Sequence, residues 1–261
     1  MRRHLARCAL AALLYAAPAA AQRRAPAFRL DPSVDVPVMA VTAPLLGAWF
    51  LSREHGPPWC APSCDAGTVN AFDRPAAGAY RPGWRVVSDA TVIAWGLGAA
   101  TTLALVEGLP TSLHDTTVVL ESVMVANALA VMTNFAVGRP RPLAYGDAAP
   151  EEARVSGHAA MSFLSGHTAN AFAATVATFQ VLRRVARPAL AWAALGVGIG
   201  VSSFIGVARV LAGDHFPTDV IAGAVVGAAI GWVVPALHRA PVRPAPVAFQ
   251  GGAALTLTGG F

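Results

Sequence analysis

Between residues 86 and 237 the chain is built from five apolar segments, roughly 86–106, 116–137, 162–182, 188–207 and 217–237. Each is close to the about 20 residues a helix needs to cross a hydrocarbon core. Backbone N–H and C=O groups in lipid must be satisfied within the segment itself, and that leaves helices as the spanning element. The segments are rich in Gly and Ala, which suits close helix approach in a bilayer. Composition agrees: 55% of residues are hydrophobic and 13% charged, with a mean hydropathy of +0.53, against about 25% charged in an average soluble domain. The expected fold class is all-α, a membrane-embedded bundle of about five to six apolar helices. A soluble apolar bundle without crossings is the alternative, and the composition argues against disorder.

The N-terminal stretch "MRRHLARCALAALLYAAPAAAQ" reads as a signal peptide over 1–21. It has a charged start, an apolar run from about Cys8 to Ala17 and small residues at Ala19, Ala20 and Ala21. An uncleaved anchor is the other reading. The net charge of +5 leans on this stretch: removing Arg2, Arg3 and Arg7 from 19 cations leaves 16 against 14 acids, or +2. No basic patch is interleaved with aromatics, so no nucleic-acid partner is expected. Every cation is arginine, and chemistry that needs an amine must do without lysine.

Residues 22–85 read as a periplasmic leader. It contains an apolar stretch, 34–52, broken by Pro37 and Pro44, and then loop compositions. Cys60 and Cys64 form an even pair in an exported chain and suggest a disulfide, with free thiols as the alternative. Only His55 lies close enough to join them in a metal site, so no metal is expected. Residues 86–237 are the helical domain, and 238–261 a C-terminal tail with weak strand-like alternation. Arg183, Arg184 and Arg187 form the one arginine cluster between apolar segments, which places that loop in the cytoplasm. Parity then keeps 34–52 out of the membrane. The end of 116–137, the start of 162–182 and the 208–216 connection face the periplasm.

Three stretches meet on that outward face. "ARVLAGDHFPTD" puts His215 and Asp219 at i and i+4, one face of a helix, where a carboxylate can fix an imidazole's tautomer. Arg209 precedes them. "LSGH" places Ser165, Gly166 and His167 at the start of an apolar run, where free N–H groups can hold an anion. "GRPRP" offers Arg139 and Arg141, natural bidentate partners of phosphate. Each has a plain structural reading too: a helix cap, an interfacial histidine, a loop anchor. A second copy of the triplet, Ser156-Gly157-His158, lies nine residues earlier.

Together and in order, these stretches resemble the signature of the type 2 phosphatidic acid phosphatase and vanadium haloperoxidase family over about residues 86–237. That signature reads Lys, six residues, Arg-Pro; then Pro-Ser-Gly-His; then Ser-Arg, five residues, His, three residues, Asp. Arg141-Pro142, Ser165-Gly166-His167 and Arg209, His215 and Asp219 match it. Asn134 stands where the pattern has Lys, Leu164 where it has Pro, and Ala208 where it has Ser. The resemblance implies metal-free, cofactor-free hydrolysis of a phosphomonoester, on a lipid phosphate or a small phosphate ester at the periplasmic face of an inner membrane. His215 would attack phosphorus, Asp219 orient it and His167 protonate the leaving oxygen. Arg141, Arg209, Ser165 and Gly166 would hold the phosphoryl oxygens, with Asn134 and Arg139 as further contacts. Two other readings follow from the same residues: a non-catalytic phosphate or lipid binder, and a vanadate-dependent haloperoxidase. A soluble periplasmic protein remains the alternative location.

Overall fold

The computed structural model describes residues 25–51, 56–186, 188–238, 243–249 and 252–258. Six long helices carry the fold: α1 Pro32–Leu51, α2 Pro82–Glu107, α3 Leu109–Val137, α4 Gly166–Val185, α5 Pro188–Ala212 and α6 Pro217–Leu237. Proline opens α2, α3 and α6 within their first two positions, where its missing N–H costs nothing and its φ is already helical. Gly138 ends α3 in the left-handed conformation, which glycine adopts without a Cβ penalty.

The bundle is arranged around α4, which packs against α2, α3, α5 and α6. Four helices, α2, α3, α5 and α6, are long and apolar enough to cross a membrane. The central helix is less apolar because its neighbours are protein. Thr175 Oγ1 accepts from Trp95 Nε1 at 3.1 Å and meets Ser202 Oγ at 3.0 Å. Large apolar side chains such as Leu97, Met132, Val197 and Val225 point outward from the surrounding helices, as lipid contact requires. On α6, Gly223, Gly227 and Gly231 lie four apart and face α4. A Cβ at Gly227 would stand 2.1 Å from the carbonyl oxygen of Ala169. The two helices are therefore in backbone contact, the close approach that small residues permit.

The stretch expected to be broken by its prolines, 34–52, falls largely within one continuous helix, α1. Pro37 and Pro44 lie inside α1 without ending it, because the helix is held along α3 and does not depend on its own propensity. It starts at the far pole of the bundle, where His238 Nε2 lies 2.8 Å from Asp35 Oδ1 and 3.0 Å from Glu121 Oε2. The chain leaves α1 at the opposite pole. Residues 25–31 share the far pole: Ala27 N and Phe28 N donate to Asp115, and the Arg184 guanidinium lies 4.5 Å over the Phe28 ring. The expected signal segment, 1–21, lies outside the described residues.

Residues 56–81 pack against the bundle. Cys60 and Cys64 are joined in a disulfide, and Cys64 N donates to Ala144 O at 3.0 Å. Gly78 N donates to Pro142 O at 2.8 Å and Arg81 N to Ala212 O at 3.3 Å. This segment therefore clamps the loops that follow α3 and α5. The tail forms an antiparallel hairpin, β1 Arg243–Phe249 and β2 Gly252–Thr258, in register from Arg243 opposite Thr258 to Phe249 opposite Gly252.

Candidate active site

The turn between α5 and α6 is built on Gly213. Its φ is +83°, and a Cβ there would fall 1.8 Å from Ala79 O, so no other residue fits. Beyond it, Asp214 and His215 are both buried. Phe216 is the N-cap of α6 and Pro217 its first residue. The two histidines and two of the arginines expected from the sequence reach one cavity of about 280 Å³. Arg141, Gly166, His167, Arg209 and His215 line it together with Asn134 and the apolar Val92, Val131, Phe135 and Met161. His167, not His158, is on its wall.

His215 is not held by Asp219. Its Nδ1 donates to the carbonyl of Ser162 at 2.6 Å, and a carbonyl can only accept. The Nδ1–H tautomer follows, with a lone pair on Nε2 for the cavity. Asp219 accepts instead from Ser162 Oγ at 2.5 Å, from Phe216 N at 2.8 Å and from Arg139. The i, i+4 rule fails here because His215 precedes the helix that contains Asp219. The carboxylate reaches the histidine through Ser162, which the sequence reading did not single out. Burial, reinforced by Arg141 and Arg209, holds the His215 imidazole well below its ordinary pKa, against the opposing pull of Asp214 and the Ser162 carbonyl. The ring is thus neutral near pH 7.

Asp214, also missed in the sequence, organises the arginines. Its Oδ1 accepts from Arg141 Nη1 at 3.0 Å and from Arg85 Nη2, and its Oδ2 from Arg209 Nη2 at 2.9 Å and Arg85 Nε at 3.0 Å. Burial alone would raise this carboxyl. Arg141, Arg209 and Arg85 overcome that and hold it far below the usual range. Arg141 is further fixed by Nε donating to Met161 O at 3.1 Å, and Arg209 by Ser88 Oγ at 3.2 Å. Asp89 on α2 lies 2.8 Å from His167 Nε2 and 3.1 Å from Arg209 Nη1. It joins the expected leaving-group acid to an expected phosphate ligand.

Three expected contacts are placed differently. Arg139 is turned from the cavity: it bonds Asp73 at 2.8 Å, Thr218 at 2.9 Å and Asp219, and lies 4.4 Å over the Phe216 ring. It is a latch between the 56–81 segment and α6. Ser165 is fully buried, with its hydroxyl 2.9 Å from Thr168 Oγ1; the wall is formed by Gly166 instead. Asn134 lines the cavity, but its Nδ2 donates to Ala130 O at 2.7 Å and Leu164 O at 3.0 Å. Both donor hydrogens are therefore committed, and none is left for a phosphate. The one group of metal-type side chains among the described residues, Asp35, Glu121 and His238, is at the far pole. It is an imidazole shared by two carboxylates.

The profile of the PAP2 superfamily matches residues 115–243, which include all the matched signature residues. This stretch belongs to the PAP2 superfamily. Over 92 residues the chain is 38% identical to a lipid A 1-phosphatase of Porphyromonas gingivalis. That match covers 34% of this chain and 20% of the relative, so the chain spans about a fifth of its length. Among solved structures, similarity is found to a transmembrane PAP2 type phosphatidylglycerolphosphate phosphatase of Bacillus subtilis, at 18% identity and a TM-score of 0.47, over 78% of this chain and 94% of that one. Aquifex aeolicus LpxE is similar at 21% identity and a TM-score of 0.43, over 62% and 90%. The PAP2 match stops short of α2, the helix that supplies Asp89 and Arg85.

Proposed function

We propose that the protein is a phosphatase that hydrolyses a lipid phosphomonoester through a phosphohistidine on His215. The observation that carries this is the convergence on one cavity of a neutral imidazole with its lone pair on Nε2, two buried arginines and a second histidine paired with a carboxylate. Nε2 attacks phosphorus as the bond to the leaving oxygen breaks. His167, held by Asp89, gives that oxygen a proton. Arg141, Arg209 and the first N–H groups of α4 stabilise the charge that builds on the equatorial oxygens. Water, deprotonated by His167, then cleaves the P–N bond and restores His215. The chemistry asks for no metal or cofactor. The lipid character of the substrate is supported by the apolar helices around the cavity and by the similarity to a lipid A 1-phosphatase.

The site pole belongs on the periplasmic side of an inner membrane in this reading. Arg183 and Arg184 lie at the other end of α4, where positive-inside reasoning puts the cytoplasm, and the Cys60–Cys64 disulfide lies at the site pole, where oxidising conditions sustain it. The test is phosphate release by detergent-purified protein from a panel of lipid phosphates, with alkali-quenched labelling of the enzyme. Wild type should release phosphate and retain an acid-labile, alkali-stable phosphoryl group, and His215→Ala should do neither. Equal inactivity of both across the panel refutes the reading. Because His215 is held below its usual pKa, the acid limb of kcat/KM should lie below pH 6.5.

A further inference from the structure

The missing signature lysine leaves a question of charge. A phosphomonoester brings close to two negative charges, and Asn134 supplies no cation and no free donor. Arg139 is spent on Asp73 and Asp219. The two cavity arginines, Arg141 and Arg209, each face a carboxylate: Asp214 touches both, and Asp89 touches Arg209. Counted without Arg85, the one cation of α2, that inner set is neutral, two arginines against two aspartates.

We propose that Arg85 is the positioning residue that keeps the phosphate cradle positive, acting through Asp214 in place of the absent lysine. Asp214 is fully buried and receives Arg85 by both Nε and Nη2, a side-on fork. That fork neutralises the carboxylate and fixes its plane. Its two oxygens then present Arg141 on one side and Arg209 on the other, at 3.0 and 2.9 Å. With Arg85 the inner set carries one net positive charge. The wider set, with Arg139, Asp73 and Asp219, becomes four arginines against four aspartates, so loss of Arg85 would leave it negative before any substrate arrives. Arg85 itself does not line the cavity, and its side chain is 40% exposed. It therefore acts on the substrate through Asp214 and the two arginines. An isolated buried carboxylate beside a phosphate would be costly, and a third guanidinium behind it removes that cost.

This inference rests on the phosphatase reading, and its test separates the two. Inorganic phosphate is the probe, as a competitive inhibitor and as a ligand followed by its shift of the melting temperature, alongside kcat and KM. Arg85→Gln should weaken phosphate binding about tenfold or more and lower kcat/KM by about 10–100-fold, the scale of one lost charge-assisted contact. Arg85→Lys should recover much of both. The decisive variant is Asn134→Lys in the Arg85→Gln background. A charge placed at the signature position should restore phosphate affinity to within a few-fold of wild type, which a purely structural role would not allow. If Arg85→Gln does not fold, Arg85→Gln/Asp214→Asn takes its place: it removes the carboxylate together with its cation, leaves the inner set with one net positive charge and should bind phosphate within a few-fold of wild type. Unchanged phosphate affinity in a folded Arg85→Gln, no rescue of it by Asn134→Lys, or a roughly tenfold loss of affinity in Arg85→Gln/Asp214→Asn overturns the inference. A wild type that binds inorganic phosphate but hydrolyses nothing overturns the phosphatase reading instead, and Arg85 is then judged on the binding arm alone.

Discussion

Ser162→Ala separates two ways in which Asp219 could serve His215. In the structure the carboxylate grips the Ser162 hydroxyl at 2.5 Å, while the same residue's carbonyl receives His215 Nδ1 at 2.6 Å. Both ends of the hydroxyl bond are fully buried. A charge-assisted bond of this kind is worth about 1.5–3 kcal/mol. The substitution removes it but spares the carbonyl, and Asp219 keeps Phe216 N and Arg139. If about half of that energy is felt at the transition state, roughly 0.7–1.5 kcal/mol, kcat falls about 3–12-fold with little change in KM. Asp219→Asn should cost more, because an amide cannot accept from all three donors. The two effects should not add: the double variant should be no slower than Asp219→Asn alone. The assay is steady-state phosphate release by the four proteins, with melting temperatures as a folding control. Were Asp219 to hold His215 directly, Ser162→Ala would be silent while Asp219→Asn was crippled. That pattern, or simple additivity, refutes the relay.

Two further outcomes concern the bundle. Gly227→Ala drives a Cβ to 2.1 Å from the Ala169 carbonyl; overpacking of this kind costs about 1–3 kcal/mol, and the melting temperature should drop, whereas Gly200→Ala on α5, with open space around it, should leave it unchanged. His238 is raised to about 9, chiefly by its bond to Glu121, with burial opposing and the Val234 carbonyl and Asp35 adding to it. The folded state then binds the proton more tightly than the unfolded chain. The stabilisation is complete below about pH 6.5 and is lost as pH climbs through about 9. Melting between pH 6 and 10 should show that decline in wild type and a flatter profile in His238→Gln; equal slopes would sink the assignment.

What was legible in the sequence depended on range. The five apolar segments announced five of the six helices, since length and hydropathy are local properties. The continuity of the sixth, α1, is masked by Pro37 and Pro44, which speak for a break, whereas the packing along α3 that holds the helix together involves residues far away in the chain. Its direction was hidden for the same reason: the contacts that fix it, Asp35 with His238 and Phe28 with Asp115, span 203 and 87 positions.

The site divides along the same line. Arg141, Gly166, His167, Arg209 and His215 were found because each lies at a helix end or turn, and their spacing records that geometry. Asp219 was found as a residue but given the wrong partner, since a four-residue spacing says nothing about where the helix begins. Asp89 and Arg85 left no trace: each acts on a residue about 80 to 130 positions away, across the packing of α2 on α4 and α5. Asp214 stood in plain view inside the five-residue gap between Arg209 and His215, where a pattern that counts only the ends is blind. It would have been detectable by asking what a carboxylate beside a phosphate-binding histidine could be for. Its presence there is tolerable only if cations outnumber it, and that requirement, more than any motif, points to a further arginine from outside the signature.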